Sequence, residues 1–324
     1  GATGTLVDKN ETAGGKIRHV YKAEDVIDFA WAASKRFIEL EENWQDIRIS
    51  LLMPPEHKHQ ADRYFESVKT ALKHFHAVFG EYPYPEITLI DPPFHASGAK
   101  GMEYPTLFTV GTIAGLPSSF RFPEMITIHE FGHQYLMGLL ATNEAEEPWL
   151  DEGINTYMEA RIMDEHYGAN ESMFSFYGYH AGDFEIKRHA TYNSVRHKLA
   201  PVLTLPWEMP PGTYGTLSYN KPAIWMKTLE NLLGQPTMDK ILQRYYQKWR
   251  FKHPKTKDFI DVVNEVVRQE HPGRFGANMN WFFNQMLRST KTCDYAVASV
   301  RSKKVGESFE MPTMDDVTNV ITGQ

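Results

Sequence analysis

The sequence predicts an α+β protein with a mixed α/β lobe, then a mainly helical lobe, and partial β segments at both ends. Three observations predict it. Between residues 47 and 111, short β-prone apolar runs alternate with one long helical stretch. From residue 122 onward the apolar spacing returns repeatedly to the helical period. Near each terminus a β-prone run stands in too little sequence to bury a core of its own. The resulting division is 1–44 as the end of a preceding β domain, 45–291 as the main domain, and 292–324 as the start of a following β domain. The first residue is Gly, not Met, so the chain is expected to be a piece of something longer.

Composition narrows the classes. With 324 residues, 42% hydrophobic and 13% aromatic, there is ample material for a packed core. A formal net charge of -7 without a basic tract makes nucleic acid and anionic membrane surfaces poor partners, and small or peptidic substrates fit better. Cys293 is the only cysteine, which excludes an intrachain disulfide and a cysteine metal cluster. No stretch approaches the roughly 18 apolar residues of a membrane span, and GATGTLVDKNETAGG has neither region of a signal peptide.

Taken in order, the segment around Ile17 to Tyr21 reads as a terminal strand or two. IRISLLM is a strand ended by Pro54 and Pro55. Gln60 to Phe79 is a helix with Tyr64, Val68, Leu72 and Phe75 on one face and Gly80 as its stop. His57, His59, His74 and His76 read as surface or packing histidines. Ile87 to Pro93 and Thr106 to Gly111 are strands separated by a Gly-rich loop carrying Glu103. Pro123 is well placed to open a helix running through Leu136, where Gly132 would let another backbone approach. A loop from Asn143 to Pro148 leads to a second helix, Asp151 to His166, stopped at Gly168. Glu171 to Gly212 reads as irregular, with a breaker-rich connection from Trp207 to Pro211. Helical patterns then cover Pro222 to Leu233, Met238 to Trp249, Lys257 to Gln269 and Met279 to Leu287, and a strand follows Cys293.

The stretch from His129 to Glu152, HEFGHQYLMGLLATNEAEEPWLDE, carries the chemistry. His129 and His133 are i and i+4 on one helix face and converge on one cation. With 14 His in the chain, an HExxH string is expected by chance only about 0.04 times, so coincidence is a poor account of it. A catalytic zinc takes three N/O ligands and leaves a fourth position open, and Glu152 on the returning helix is the expected third ligand of one Zn²⁺ per chain. Glu130, beside the pair, is placed to take a proton from an attacking water. The oxyanion so formed calls for a further donor, and a tyrosine hydroxyl suits it. Glu159, two turns after Glu152 on the same face, is either the acceptor for a ligand histidine's second N–H or an ordinary surface carboxylate.

HExxH, eighteen residues, then Glu within WLDEG resembles the gluzincin metallopeptidases, specifically the M1 aminopeptidase family. Gly101, Met102, Glu103 and Tyr104 resemble its GxMEN exopeptidase motif, and Tyr219, Asn220 and Lys221 its YxKG segment. Tyr104 stands where the motif usually has Asn, and Pro222 where it has Gly, a change expected to bear on the start of the next helix. The similarity extends from the run at Asp28 to Ala33 through Asn280 to Leu287. It implies a thermolysin-like catalytic domain with the metal between the lobes and Phe29 and Trp31 packed against it. It further implies a peptide substrate with a free N-terminus, whose ammonium is bound by Glu103 while extended backbone at Gly101 and Met102 pairs with its main chain. Tyr219 is the implied oxyanion donor. Tyr214 either lines the same site or is a packing residue. Flanking domains of a longer protein are implied as partners. A zinc endopeptidase, or an epoxide-opening relative, would use the same metal set. A non-catalytic scaffold is disfavoured by the joint presence of His129, Glu130, His133, Glu152 and Tyr219.

Overall fold

The computed structural model describes residues 1–291 apart from Ala114; Cys293 and the strand expected after it lie outside the described residues. The chain opens with an antiparallel hairpin, β1 (Thr5–Thr12) and β2 (Lys16–Lys22), turning at Gly14 and Gly15, both at positive φ. Phe29 and Trp31, expected to pack against the main body, are 58% and 71% exposed instead. The alanines between and beside them, Ala30 and Ala32, are the residues that face inward, onto Leu52, Ile90 and Leu107.

A four-stranded sheet follows in the order β3 (Ile38–Trp44), β4 (Ile47–Met53), β5 (Glu86–Ile90), β6 (Leu107–Thr109). β3 and β4 pair antiparallel from Ile38–Met53 to Trp44–Ile47, and β4–β5 and β5–β6 pair parallel. The expected boundary between residues 44 and 45 therefore falls inside a hairpin of this sheet. β4 and β5 are buried throughout except at Arg48, which is why they read as near-continuous apolar runs.

α1 (Ala61–Phe79) crosses from β4 to β5 and ends at Gly80, φ 103. Its expected inward residues, Tyr64, Val68, Leu72 and Phe75, are fully buried. α2 (Phe122–Leu136) starts one residue before Pro123 and packs on α1, with Phe75 and Phe131 edge to face at 5.7 Å. Arg63 of α1 grips Glu124 in the first turn of α2 with two hydrogen bonds of 2.6 Å. A π-helical turn, Trp149–Gly153, leads into α3 (Ile154–Tyr167), which stops at Gly168.

The stretch read as irregular contains regular structure: a hairpin of β7 (Phe174–Phe176) and β8 (Tyr179–Ala181), then α4 (Asp183–Tyr192). A second π-helical turn, Thr216–Asn220, precedes α5 (Lys221–Leu233). Pro222 sits in the first helical turn, where its missing N–H costs nothing, and the helix starts at Lys221, one residue before the expected Pro222. α6 (Gln235–Trp249), α7 (Thr256–Glu270) and α8 (Asn280–Met286) complete the helical lobe around Trp149, Trp225, Phe259 and Phe283. Among the described residues no helix is long and apolar enough to cross a membrane.

Candidate metal centre

The centre lies where α2, the first π-helical turn and the second π-helical turn meet. His129 and His133 project from α2 with ring centroids 4.8 Å apart. Their Nε2 atoms are 3.1 Å from each other, and Glu152 Oε2 is 3.3 Å from the first and 3.4 Å from the second. A tetrahedral cation with bonds of about 2.0–2.1 Å has ligand–ligand edges of about 3.3–3.4 Å. The donor triangle thus has the size of one face of such a site. Two imidazole nitrogens and a carboxylate oxygen directed at one point are three lone pairs, and only a proton or a metal cation reconciles them.

Each histidine is braced from behind. His133 Nδ1 meets Asp151 Oδ1 at 2.5 Å, and His129 Nδ1 lies 3.5 Å from Glu159 Oε2. Glu159 is 1% exposed, so of its two alternatives the surface carboxylate is ruled out by burial. The π-helical turn is what lets consecutive residues, Asp151 and Glu152, reach the two sides of one histidine. Burial would lower the His129 pKa, but hydrogen bonds donated to the carboxylates of Glu152 and Glu159 carry it up to about 9. Burial would raise Glu159, but chiefly the Lys187 cation, with bonds to Asp183 and His129, holds it down to about 2.

Gly132, three residues after His129 and next to His133, makes a close approach possible, though to side chains and not to a backbone as expected. A Cβ there would lie 1.9 Å from Asn155 Oδ1 and 2.8 Å from Phe75 Cζ. The space lets Asn155 Nδ2 donate to the His129 carbonyl at 2.7 Å, tying α3 to α2.

Glu130 is 5% exposed, and its Oε2 has no hydrogen-bond partner among the described residues. Burial pushes its pKa up to about 7. Gly101 is not extended as expected: it lies at φ 68, and a Cβ there would come within 3.1 Å of Glu130 Oε1. Its N–H and the Met102 carbonyl are already bonded to Thr109, at 3.2 and 2.8 Å, so this edge is occupied by the chain itself.

Glu103 comes close to the donors: one of its carboxylate oxygens lies within 4.8 Å of ligand atoms of His133, Asp151 and Glu152. Burial raises its pKa. The loop carrying it is clamped by Gln134, whose Oε1 accepts from Thr106 N at 2.7 Å and whose Nε2 donates to the Tyr104 carbonyl at 3.0 Å. Only the main chain of Tyr104 is used, while its side chain packs on Leu52, Ile90 and Leu107, so Tyr in place of Asn leaves the clamp intact.

Tyr219 stacks on His129 at 5.9 Å and 17°, and its hydroxyl donates to Glu152 Oε1 at 2.5 Å. Burial and the Glu152 carboxylate push its pKa well above the ordinary value, so the hydroxyl stays a donor. Tyr214 sits edge-on to it at 6.1 Å. Two adjoining cavities open at the donors, one of about 300 Å³ flanked by Met125, Glu130 and Lys187, the other of about 400 Å³ flanked by Tyr214 and Glu144; Glu103, Glu152 and Tyr219 line both.

Three residues of the centre were not visible to the sequence reading. Asp151 adjoins Glu152 and Gln134 follows His133, and no spacing rule marks either. Lys187 lay in the stretch read as irregular. The four other histidines singled out lie elsewhere: His57 is buried against Asp91 at 2.8 Å, His59 is exposed, His74 faces Glu165 at 3.3 Å and His76 meets Trp44 edge-on.

Residues 63–286 match the Peptidase family M1 domain. The leucine aminopeptidase 2 of Coccidioides immitis is 24% identical over 274 residues, 81% of this chain and 42% of the relative. That of Ajellomyces capsulatus is 29% identical over 262 residues, 77% of this chain and 40% of the relative. A leukotriene A-4 hydrolase homolog of Botryotinia fuckeliana is 29% identical over 211 residues, 64% and 32% of the two. The chain spans about two fifths of the length of the leucine aminopeptidases it matches. With its metal-donor triangle inside the matched region, the chain belongs to peptidase family M1.

Proposed function

We propose that this chain is the catalytic portion of a zinc-dependent aminopeptidase of thermolysin-like architecture, removing N-terminal residues from peptides. The observation that carries the reading is the triangle of His129, His133 and Glu152, beside which Glu130 Oε2 has no hydrogen-bond partner among the described residues. In this reading 38–291, from β3 onward, carry the chemistry, and 1–37 and 292–324 lead to flanking domains of a longer protein.

His129 Nε2, His133 Nε2 and Glu152 would hold one Zn²⁺. When bound, it supplies Lewis acidity, polarising a carbonyl and making a water acidic near neutral pH. Glu130 takes the water's proton on Oε2 and returns it to the departing amine, a shuttle suited to a carboxylate whose burial raises its pKa toward neutrality. The Tyr219 hydroxyl donates to the oxyanion once it turns from Glu152. Glu103, near Asp151 and Glu152, makes one end of the cleft strongly negative, which favours an α-ammonium group over a blocked one. Tyr214 lines the cavity that would take the residue to be removed. Gly101 serves by leaving room for Glu130, and Met102 by holding the loop to Thr109.

Aminoacyl amides and their N-acetylated counterparts, assayed on the zinc-loaded protein and on Glu103→Ala, test this. The wild type is expected to cleave only the free-amine series, and Glu103→Ala to lose that activity selectively by an amount near the cost of an unpaired ammonium, about 2–5 kcal/mol. Equal cleavage of both series by the wild type would make it an endopeptidase. Equal losses in the variant would assign Glu103 to loop structure.

A further inference from the structure

Lys187 is a cation buried behind the metal centre, and the chemistry described above makes no use of it. It is 7% exposed, and its two carboxylate partners, Glu159 and Asp183, are each 1% exposed. Nζ donates to Glu159 Oε1 at 3.1 Å and to Asp183 Oδ1. The other oxygen of Glu159 faces His129 Nδ1. A continuous chain of polar contacts therefore runs from α4 through α3 to the imidazole on α2. We propose that Lys187 is a positioning residue of the metal centre: by fixing where the Glu159 side chain sits, it orients His129 and sets the affinity for the metal.

One Glu159 oxygen is tied to Lys187 Nζ at 3.1 Å and the other faces His129 Nδ1 at 3.5 Å, so the ammonium fixes where the carboxylate lies and hence where it meets the imidazole. An acceptor set at Nδ1–H turns the Nε2 lone pair toward the cation and raises its basicity. Asp183, one turn back on α4, fixes in turn where that ammonium sits. Stability alone is a weak reason for the arrangement, because buried ions of this kind are commonly replaced by apolar side chains without loss. The two histidines are also braced differently: behind His133 stands Asp151, whose second oxygen has no hydrogen-bond partner among the described residues, whereas Glu159 has a lysine on its second oxygen.

The inference rests on the metal reading of His129, His133 and Glu152, and the test separates the two. Metal-stripped protein is titrated with zinc against a chromophoric chelator, for the wild type, Lys187→Met, Lys187→Arg, Glu159→Gln and the Glu159→Gln/Lys187→Met double variant, with circular dichroism as the check on folding. Failure of the folded wild type to bind one zinc would overturn the metal reading itself. If it binds, Lys187→Met is expected to weaken zinc by about 10- to 100-fold, as is usual for the partners behind metal ligands, and Lys187→Arg to recover most of that loss. In the Glu159→Gln background, Lys187→Met is expected to change nothing further, since its effect passes through the carboxylate. Unchanged affinity in Lys187→Met, or an equal loss with and without the Glu159 carboxylate, would overturn the proposal. Should Lys187→Met alone not fold, Glu159→Gln against the double variant still decides: equal affinities support the positioning role, and a further loss sinks it.

Discussion

In the proposed mechanism Glu130 and Tyr219 serve the same reacting carbonyl with different duties, and near-isosteric substitutions separate them. Glu130→Gln removes a base without removing a metal donor, so zinc content should stay at one per chain while kcat falls by about 10²–10⁴. Metal analysis beside the rate measurement checks it, and loss of zinc would make Glu130 a structural member of the centre. Tyr219→Phe removes a donor that matters mainly in the transition state, so kcat should fall by about 10²–10³ with KM little changed. The hydroxyl also touches Glu152 Oε1, which gives a second outcome to measure: zinc affinity falling together with kcat would mean that the tyrosine braces the ligand and does not contact the oxyanion.

At the scale of elements, Gly132 shows how tightly α2 and α3 must meet. Alanine there would collide with Asn155 Oδ1 and the Phe75 ring, an overpacking that commonly costs about 1–3 kcal/mol. Gly132→Ala should therefore lower the thermal midpoint and weaken zinc together, because the histidines lie on either side of it; normal values for both would show that the helices part without strain. How far the elements were legible follows from what their buried faces are made of. α1 was plain because Tyr64, Val68, Leu72 and Phe75 give it an apolar stripe. α4 was hidden because its buried residues are Asp183, Lys187 and Thr191, a polar face that carries the helical period but no hydrophobic signal. β3 alternates Ile38, Leu40 and Trp44 with charged or polar residues, a signal that was present and passed over. HExxH and Glu152 were legible because i,i+4 spacing on a helix is local. The contacts of Lys187 with Glu159 and of Gln134 with the Glu103 loop depend on how distant segments fold back, which no local spacing records.

For the molecule as a whole, the metal and the fold are linked, since the three donors come from α2 and the turn before α3 and meet only in the native state. Zinc at 1,000 times its dissociation constant should add about 4 kcal/mol of stability, seen as a fall in the thermal midpoint when a chelator is added. The size of that fall should depend on pH in a direction the site decides. With zinc removed, a proton is the cation left to His129, whose pKa in the folded protein rises to about 9 from an ordinary value of 6.5. A group whose pKa is raised by folding contributes stability that is complete below its unfolded value and is lost as pH rises through the folded one. The metal-free protein should thus lose stability between pH 6.5 and about 9, while the loaded protein gains on it, because protons compete less with zinc as pH rises. Calorimetric scans of both forms at pH 6, 7.5 and 9, round values chosen about that window, are expected to show a widening gap. A gap that stays constant or narrows toward pH 9 would mean that the His129 proton and the metal do not share one site.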